Sequence, residues 1–328
     1  MPEAPVVEVR GLQKTYGRIE AVRGIDLSVQ AGEIFGFLGP NGAGKTTTIS
    51  ILCTLVRKSA GHALVAGIDV DTDPSGVRRR IGLVFQDPSL DAQLTGRENL
   101  ELHGQIYGMP SALRKQRIKD LLEVVELTDR ADSRVMTYSG GMKRRLEIAR
   151  GVLHHPQVLF LDEPTLGLDP QTRKHIWEYL HAMRKSEGIT LFMTTHYMDE
   201  AEYCDRIAII DKGQIAALGT PGELKSKVGG DVITLTVADP VAAAADIQQR
   251  FGLTPLRDEG SLRIEVPDGA AFLPRLVREL AVPVETVSLR RPSLDDVFLK
   301  LTGHAIRAEG ASGTDMMRNM ARMMGGRR

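Results

Sequence analysis

The sequence predicts an α/β protein organised around a phosphate-binding loop, with a small α+β unit in its C-terminal part. Three observations carry that expectation. Short apolar strands alternate with periodic helical stretches through the first two thirds of the chain, the pattern of a mostly parallel sheet. A glycine-rich loop, Gly39-Pro40-Asn41-Gly42-Ala43-Gly44-Lys45-Thr46, joins an apolar run to a helical one. Beyond residue 230 the elements run β-α-β-β-α-β, the split βαβ or ferredoxin-like order.

Residues 6–38 read as β-rich. A short strand spans 6–9, an alternating stretch spans 21–29, and the uninterrupted apolar run 34–38 is a buried strand. After the glycine-rich loop, 46–55 is helical and 81–85 is a strand. The segments 98–107, 113–125 and 141–153 have helical periodicity. Strands at 158–161 and 190–194 enclose a helix at 171–186. A strand at 207–210 turns at Lys212-Gly213 into 214–218. Gly229-Gly230 breaks the pattern and sets the expected domain division: 1–228, then 229–303, then a tail at 304–328. In the second unit, strands at 232–237, 254–257, 262–266 and 284–289 alternate with helices at 241–250 and 270–280. A last helix, 293–301, opens with Ser293 as N-cap and Asp295-Asp296 in its first turn. No internal repeat is visible.

Composition narrows the function. The chain has 328 residues, which suits two domains at about 150 residues each. Its 42 basic and 42 acidic residues cancel, so it carries no global charge to attract nucleic acid. Cys53 and Cys204 are far apart, which excludes a disulfide framework or zinc knuckle and fits a reducing compartment. The polar, acidic N-terminus is no signal peptide, and no apolar run approaches the roughly 20 residues that cross a bilayer.

The chemistry sits in three motifs. Gly39 to Thr46 fits GxxxxGK[ST], whose backbone N–H groups wrap phosphates at a helix N-terminus. Lys45 would reach the β- and γ-phosphates and the Thr46 hydroxyl would hold Mg²⁺, with Thr47 beside it. The strand 158–161 delivers Asp162 and Glu163 at its tip. Asp162 would bind Mg²⁺, and Glu163 would orient or deprotonate water. Taken alone, such an acidic strand end is often only solvated, but it follows a complete phosphate loop. Finally, Tyr138-Ser139-Gly140-Gly141-Met142 opens a helix and offers a hydroxyl, N–H groups and a positive helix end, a second grip for phosphate. By itself it would be an ordinary capped helix. His196 follows a strand at the carboxyl edge, where α/β sheets bind ligands. The other histidines show no metal spacing, and Arg78-Arg79-Arg80 reads as a solvated charged turn.

With these motifs in order, residues 6 to about 225 resemble the ATP-binding subunit of an ATP-binding cassette (ABC) transporter. The resemblance implies a RecA-like core with an antiparallel β subdomain and a helical subdomain. It implies that Tyr16 stacks on adenine, that Gln86 touches Mg²⁺ and the attacking water, and that Ser139-Gly140-Gly141 is the family signature. It further implies that Asp169 links two nucleotide sites, that Glu163 is the catalytic glutamate and that His196 senses the γ-phosphate. Two copies then face head to tail, each ATP held by the phosphate loop of one and the signature of the other. The common signature is Leu-Ser-Gly-Gly-Gln; Tyr138 and Met142 depart from it, and Met142 lacks the hydrogen bonds of glutamine.

Pro292-Ser-Leu-Asp-Asp-Val-Phe-Leu299, Leu301-Thr-Gly303 and Gln86-Asp-Pro-Ser-Leu-Asp91 resemble the daunorubicin/doxorubicin-resistance group of exporter ATPases. That likeness implies a separate ABC-2-type membrane permease, export of a drug, lipid or other hydrophobic compound, and a peripheral place on the cytoplasmic membrane face. The competing readings are a soluble ABC ATPase acting on ribosome or nucleic acid, and a generic phosphate-loop GTPase or kinase. One cassette without a long heptad run speaks against the first, and the Ser-Gly-Gly segment with His196 against the second. In the tail, Met316, Met317, Met320, Met323 and Met324 form one helical stripe opposite Arg318 and Arg322, suited to a membrane surface or a partner, or else to a frayed end.

Overall fold

The computed structural model describes residues 4–87, 89–227, 229–258 and 261–302, so the Met/Arg stripe lies outside the described residues. Strands β1 (Val7–Tyr16) and β2 (Ile19–Val29) form a hairpin over Gly17-Arg18, and β3 (Ile34–Leu38) is buried from end to end. The glycine-rich loop runs into α1 (Lys45–Leu52). Then come β4 (Ala60–Val65), β5 (Ile68–Asp69), α2 (Pro74–Arg80) and β6 (Ile81–Val84). Three helices follow, α3 (Gly96–Ile106), α4 (Ser111–Val124) and α5 (Gly140–Val152). The chain returns through β7 (Val158–Asp162), α6 (Pro170–Glu187), β8 (Thr190–Thr195), α7 (Met198–Ala201), β9 (Arg206–Asp211), β10 (Gln214–Gly219) and α8 (Pro221–Ser226). The last series is β11 (Asp231–Val237), α9 (Pro240–Phe251), β12 (Leu256–Asp258), β13 (Ser261–Val266), α10 (Gly269–Glu279), β14 (Val284–Arg290) and α11 (Leu294–Thr302).

Three sheets result among the described residues. The central one has the order β10-β9-β3-β8-β7-β6 and is parallel except for β10. Its apolar strands read as continuous runs because both faces are covered. Phe35, Phe37, Phe160 and Phe192 fill the face toward the antiparallel sheet β2-β1-β4-β5. The Phe192 ring centroid lies 5.3–5.7 Å from the other three. Ile34, Leu159, Leu161, Leu191 and Met193 face the helices. The third sheet, β12-β13-β11-β14, is antiparallel and carries α9 and α10 on a separate core, as the β-α-β-β-α-β order predicts.

The structure corrects some local expectations. The first strand runs to Tyr16 and the helix expected at 46–55 ends at Leu52. Arg78-Arg79-Arg80 is not a turn; it forms the last turn of α2, where positive charge suits the helix C-terminus. Asp73 caps that helix and Pro74 opens it, a start signal too short to register as a periodic pattern. Ser293 does cap α11, accepting from Asp296 N–H at 3.2 Å.

Candidate functional site

The parallel register brings the motif residues to one edge. Strands β3, β8, β7 and β6 are consecutive neighbours after β9, with Leu38 beside Thr195, Asp162 beside Thr194, and Val84 beside Leu161. Their carboxyl ends therefore deliver Gly39, His196, Asp162-Glu163 and Gln86 side by side. This is the edge at which open α/β sheets bind ligands.

The loop between β3 and α1 is closely fitted to its surroundings. A Cβ on Gly39 would lie 2.3 Å from the Ile210 carbonyl oxygen. Gly44 has φ 106°, and a Cβ there would lie 2.5 Å from the Ala21 carbonyl oxygen, so both positions demand glycine. Gly213 N–H donates to Ala43 O at 3.0 Å and braces the loop from the β9–β10 turn. The loop curls over the Lys45 ammonium, which donates to Gly39 O at 2.8 Å and Pro40 O at 3.2 Å. No acidic residue occupies the first turn of α1, so its positive end is left for an anion.

Beside the loop lie two carboxylates in different surroundings. Asp162 is buried and accepts from Thr194 Oγ1 at 2.5 Å and Thr46 Oγ1 at 3.4 Å. Burial raises its carboxyl above the usual value, and those two hydroxyls work against the rise. Glu163 Oε1 lies 3.2 Å from Lys45 Nζ, and Oε2 lies 3.3 Å from His196 Nδ1, a close contact off the angle of a hydrogen bond. Burial alone would raise the Glu163 carboxyl, but the His196 contact and the Lys45 charge outweigh it and hold it below its usual value. Lys45 shows the converse: burial lowers its pKa while Glu163 and Asp162 oppose the fall. Glu163 also sits at φ 47°, a left-handed conformation that costs a non-glycine residue about 1–2 kcal/mol. Such strain persists only where the surroundings hold it.

An open cleft of ≈ 630 Å³ continues from the loop, lined by Thr15, Gly17, Arg18, Ala21, Gly42 and Lys212. Tyr16, between two of these residues, is 39% exposed with the Lys14 ammonium 4.7 Å from its ring centroid. Gln86 is exposed beyond β6 and makes no side-chain hydrogen bond among the described residues, so the structure sets it at this edge without bringing it onto Thr46 or Asp162.

Comparison with known proteins decides the family. The ABC transporter family model matches residues 22–166, and that of the ATP-binding protein DrrA1-3-like C-terminal domain matches residues 219–302. The daunorubicin resistance ATP-binding protein DrrA2 of Streptomyces coeruleorubidus is 45% identical over 91% of this chain and 95% of its own length. The chain belongs to the ATP-binding subunits of ABC transporters. The Nod factor export ATP-binding protein I of Burkholderia lata is 40% identical over 94% of this chain and its full length. Among solved structures, the dimeric ATP-binding cassette MJ0796 bound to ADP and Pi superposes with TM-score 0.60 at 29% identity, covering 65% of this chain and 98% of that one. ATP is the nucleotide of this ABC subunit and its hydrolysis the reaction.

The segment Tyr138–Met142 leads into α5. Ser139 and Gly140 are exposed at the start of α5, and Ser139 Oγ accepts from Met142 N–H at 3.3 Å as its N-cap. Gly141 abuts α6, where a Cβ would lie 2.7 Å from Thr172 Cγ2. Asp169 caps α6 through Thr172, accepting from its N–H at 3.0 Å and its hydroxyl at 2.6 Å, which keeps its carboxyl low. The start of α5 and Asp169 thus meet at Thr172. Both departures from the family pattern have local causes. The Tyr138 hydroxyl donates to Arg130 O at 2.6 Å and anchors the loop, while Met142 packs against the helical core.

Two residues of this ABC subunit escaped sequence reasoning. Glu200, buried on α7, accepts from the hydroxyls of Thr165 and Thr195 and so ties the segment after Glu163 to the one before His196. Burial raises its carboxyl against those two bonds. Arg144, buried on α5, donates to main-chain carbonyls at the ends of both β6 and β7. For Arg144 the sequence offered only a charge on an expected helix, and for Glu200 it offered no element at all.

Proposed function

We propose that this chain is the ATP-hydrolysing subunit of an ABC-2-type exporter. It works at the cytoplasmic face of the membrane, peripherally, and drives a drug, lipid or other hydrophobic compound through a separate permease subunit. The named relatives support export, and no helix among the described residues is long and apolar enough to cross a membrane. The observation that carries the enzymatic reading is the Glu163 carboxylate held between Lys45 and His196 beside the phosphate loop.

In this reading residues 39–47 bind the triphosphate, Tyr16 stacks on adenine, and Lys45 meets the β- and γ-phosphates. Glu163 accepts a proton from water as that oxygen bonds the γ-phosphorus and the bond to the β–γ bridging oxygen breaks, releasing ADP and phosphate. His196 and Lys45 orient the carboxylate, and Gln86 moves onto the site when nucleotide binds. The Thr46 hydroxyl and Asp162 carboxylate are hard oxygen donors of the kind Mg²⁺ takes alongside phosphates. No cluster of three or more His, Cys, Asp or Glu suited to a metal occurs among the described residues, so the ion would rely on this pair and the nucleotide. When bound it neutralises phosphate charge. Ser139 and Gly140, exposed at the start of α5, with Gly141 and Asp169 beside them, serve the ATP of a second copy in a head-to-tail homodimer.

Glu163→Gln tests this. The variant is expected to bind ATP, stall hydrolysis by about a hundredfold or more and trap a closed dimer. Expressed in its native cell and trapped with ATP, it should recover one multi-span membrane protein from solubilised membranes. Turnover at the wild-type rate would remove Glu163 from the role, and ribosomes or nucleic acid in place of a permease would overturn the transport reading.

A further inference from the structure

We propose that Arg144 is a positioning residue for hydrolysis, locking the Glu163 backbone and the segment that carries Gln86 into one frame, with Glu147 locking Arg144. This rests on the reading of Glu163 as the base. A guanidinium has five N–H donors in a rigid fork, and Arg144 uses all five. Nε donates to Pro164 O at 2.5 Å. One terminal nitrogen donates to Phe85 O at 2.5 Å and to Glu147 Oε2 at 3.2 Å. The other donates to Asp162 O at 3.3 Å and to Glu163 O at 3.0 Å.

Glu163 N–H donates to Thr194 Oγ1 at 3.0 Å, so both polar groups of its strained main chain are held, one by β8 and one by α5. The frame extends to the far side of Gln86. Glu147 is fully buried, and its second oxygen accepts from Ser89 N–H at 2.7 Å. Arg150, one turn on, donates to Ser89 O at 2.7 Å and to its hydroxyl at 2.5 Å. Phe85 and Ser89 flank Gln86, and both are gripped by the helix that begins with the signature. Loss of Arg144 leaves the Glu163 carbonyl with the Leu166 N–H alone, at 3.2 Å, so the peptide is less firmly held at φ 47° and the carboxyl swings away from Lys45 and His196. None of the phosphate-loop hydrogen bonds involves Arg144, so ATP binding survives.

The test compares Arg144→Lys and Glu147→Gln in the full chain. It reads ATP affinity with a fluorescent ATP analogue, steady-state kcat and melting temperature. Lysine keeps the charge but offers three donors on a point, so Arg144→Lys is expected to lower kcat by about tenfold to a hundredfold with Kd changed by less than about threefold. Glu147→Gln, which keeps an acceptor for Ser89, is expected to give a smaller drop in kcat, again without loss of binding. Placed in the Glu163→Gln background, Arg144→Lys should lower the residual rate by a clearly smaller factor than it lowers the wild-type rate, because much of its effect passes through Glu163. A wild-type kcat in Arg144→Lys would overturn the inference. So would Kd, kcat and melting temperature failing together, which marks a structural role, or an undiminished fold-drop in the Glu163→Gln background. Wild-type turnover by Glu163→Gln alone would instead remove the reading beneath it.

Discussion

His103 and His154 are imidazoles that the fold keeps neutral. Burial, with the nearby Arg150 charge, pushes His103 down from 6.5 to about 3. Burial likewise pushes His154 from 6.5 to about 4, although the Ile81 carbonyl at 2.9 Å from Nε2 opposes the shift. The Tyr107 ring stacks on His154 at 3.8 Å, and each histidine keeps one buried ring nitrogen without a hydrogen-bond partner among the described residues. Both folded values lie below the unfolded value, so between the two the unfolded chain binds more protons. Stability is therefore unaffected above about pH 6.5 and falls as the pH drops toward 4, by at most about 1.4 kcal/mol per pH unit for each histidine. His103→Leu should flatten that slope, read as urea midpoints compared between about pH 5 and pH 7. Parallel slopes for variant and parent would show that His103 protonates freely in the folded state. Lys45 illustrates the opposite economy: a buried cation kept by two carbonyls and a carboxylate, so that its charge stands where phosphate oxygens must arrive.

At the scale of elements, β6 and α5 approach so closely that a side chain between them is excluded. A Cβ on Gly82 would lie 2.1 Å from the Gly151 carbonyl oxygen, and one on Gly151 would lie 2.9 Å from Leu159 Cδ1. That contact is what lets Arg144 reach Phe85 O across the strand end. Gly82→Ala should cost about 1–3 kcal/mol by overpacking, seen as a lower melting temperature, and should lower kcat beyond that loss by tilting α5. An unchanged melting temperature would mean that the helix yields freely. The same contrast explains which features were legible in the sequence. The runs β3, β7 and β8 are apolar throughout and end in polar motif residues, so their identity and edge could be read directly. The elements β4, β5, α2, α7 and α8 were not readable, because short segments bounded by Gly61, Gly67 or Pro74 show too few periods. Arg144 was opaque for a different reason. Its partners are main-chain carbonyls at residues 85 and 162–164, and no side-chain pattern reports where a carbonyl will point.

At the scale of the whole molecule, the third sheet is joined to the ATPase through α11. Leu294, Val297 and Phe298 are almost fully buried against Leu38, Met198, Ala201, Ile207, Ile209 and Leu224, in a cluster that shares no residue with the core under β11–β14. Beside that joint lies an open cleft of ≈ 640 Å³ lined by Lys225, Gly230, Glu265 and Arg291. The apolar seam of one short helix thus carries much of the attachment. It lies on α7, the turn that follows His196 and holds Glu200, so the C-terminal unit touches the element that supports the site. Truncating the largest side chain in the seam separates attachment from folding. Phe298→Ala should cost about 3–5 kcal/mol locally, as deletion of a buried aromatic does. The core made by Ile233, Leu235, Ile247 and Ile264 should stay intact, since none of these residues contributes to the seam. Hydrogen exchange would resolve the two cases. Faster exchange confined to α7, α8 and α11, with β11 and β13 still protected, is the expected result. Uniform acceleration across β11–β14 would mean that the small sheet depends on its attachment for stability and that the two cores unfold as one.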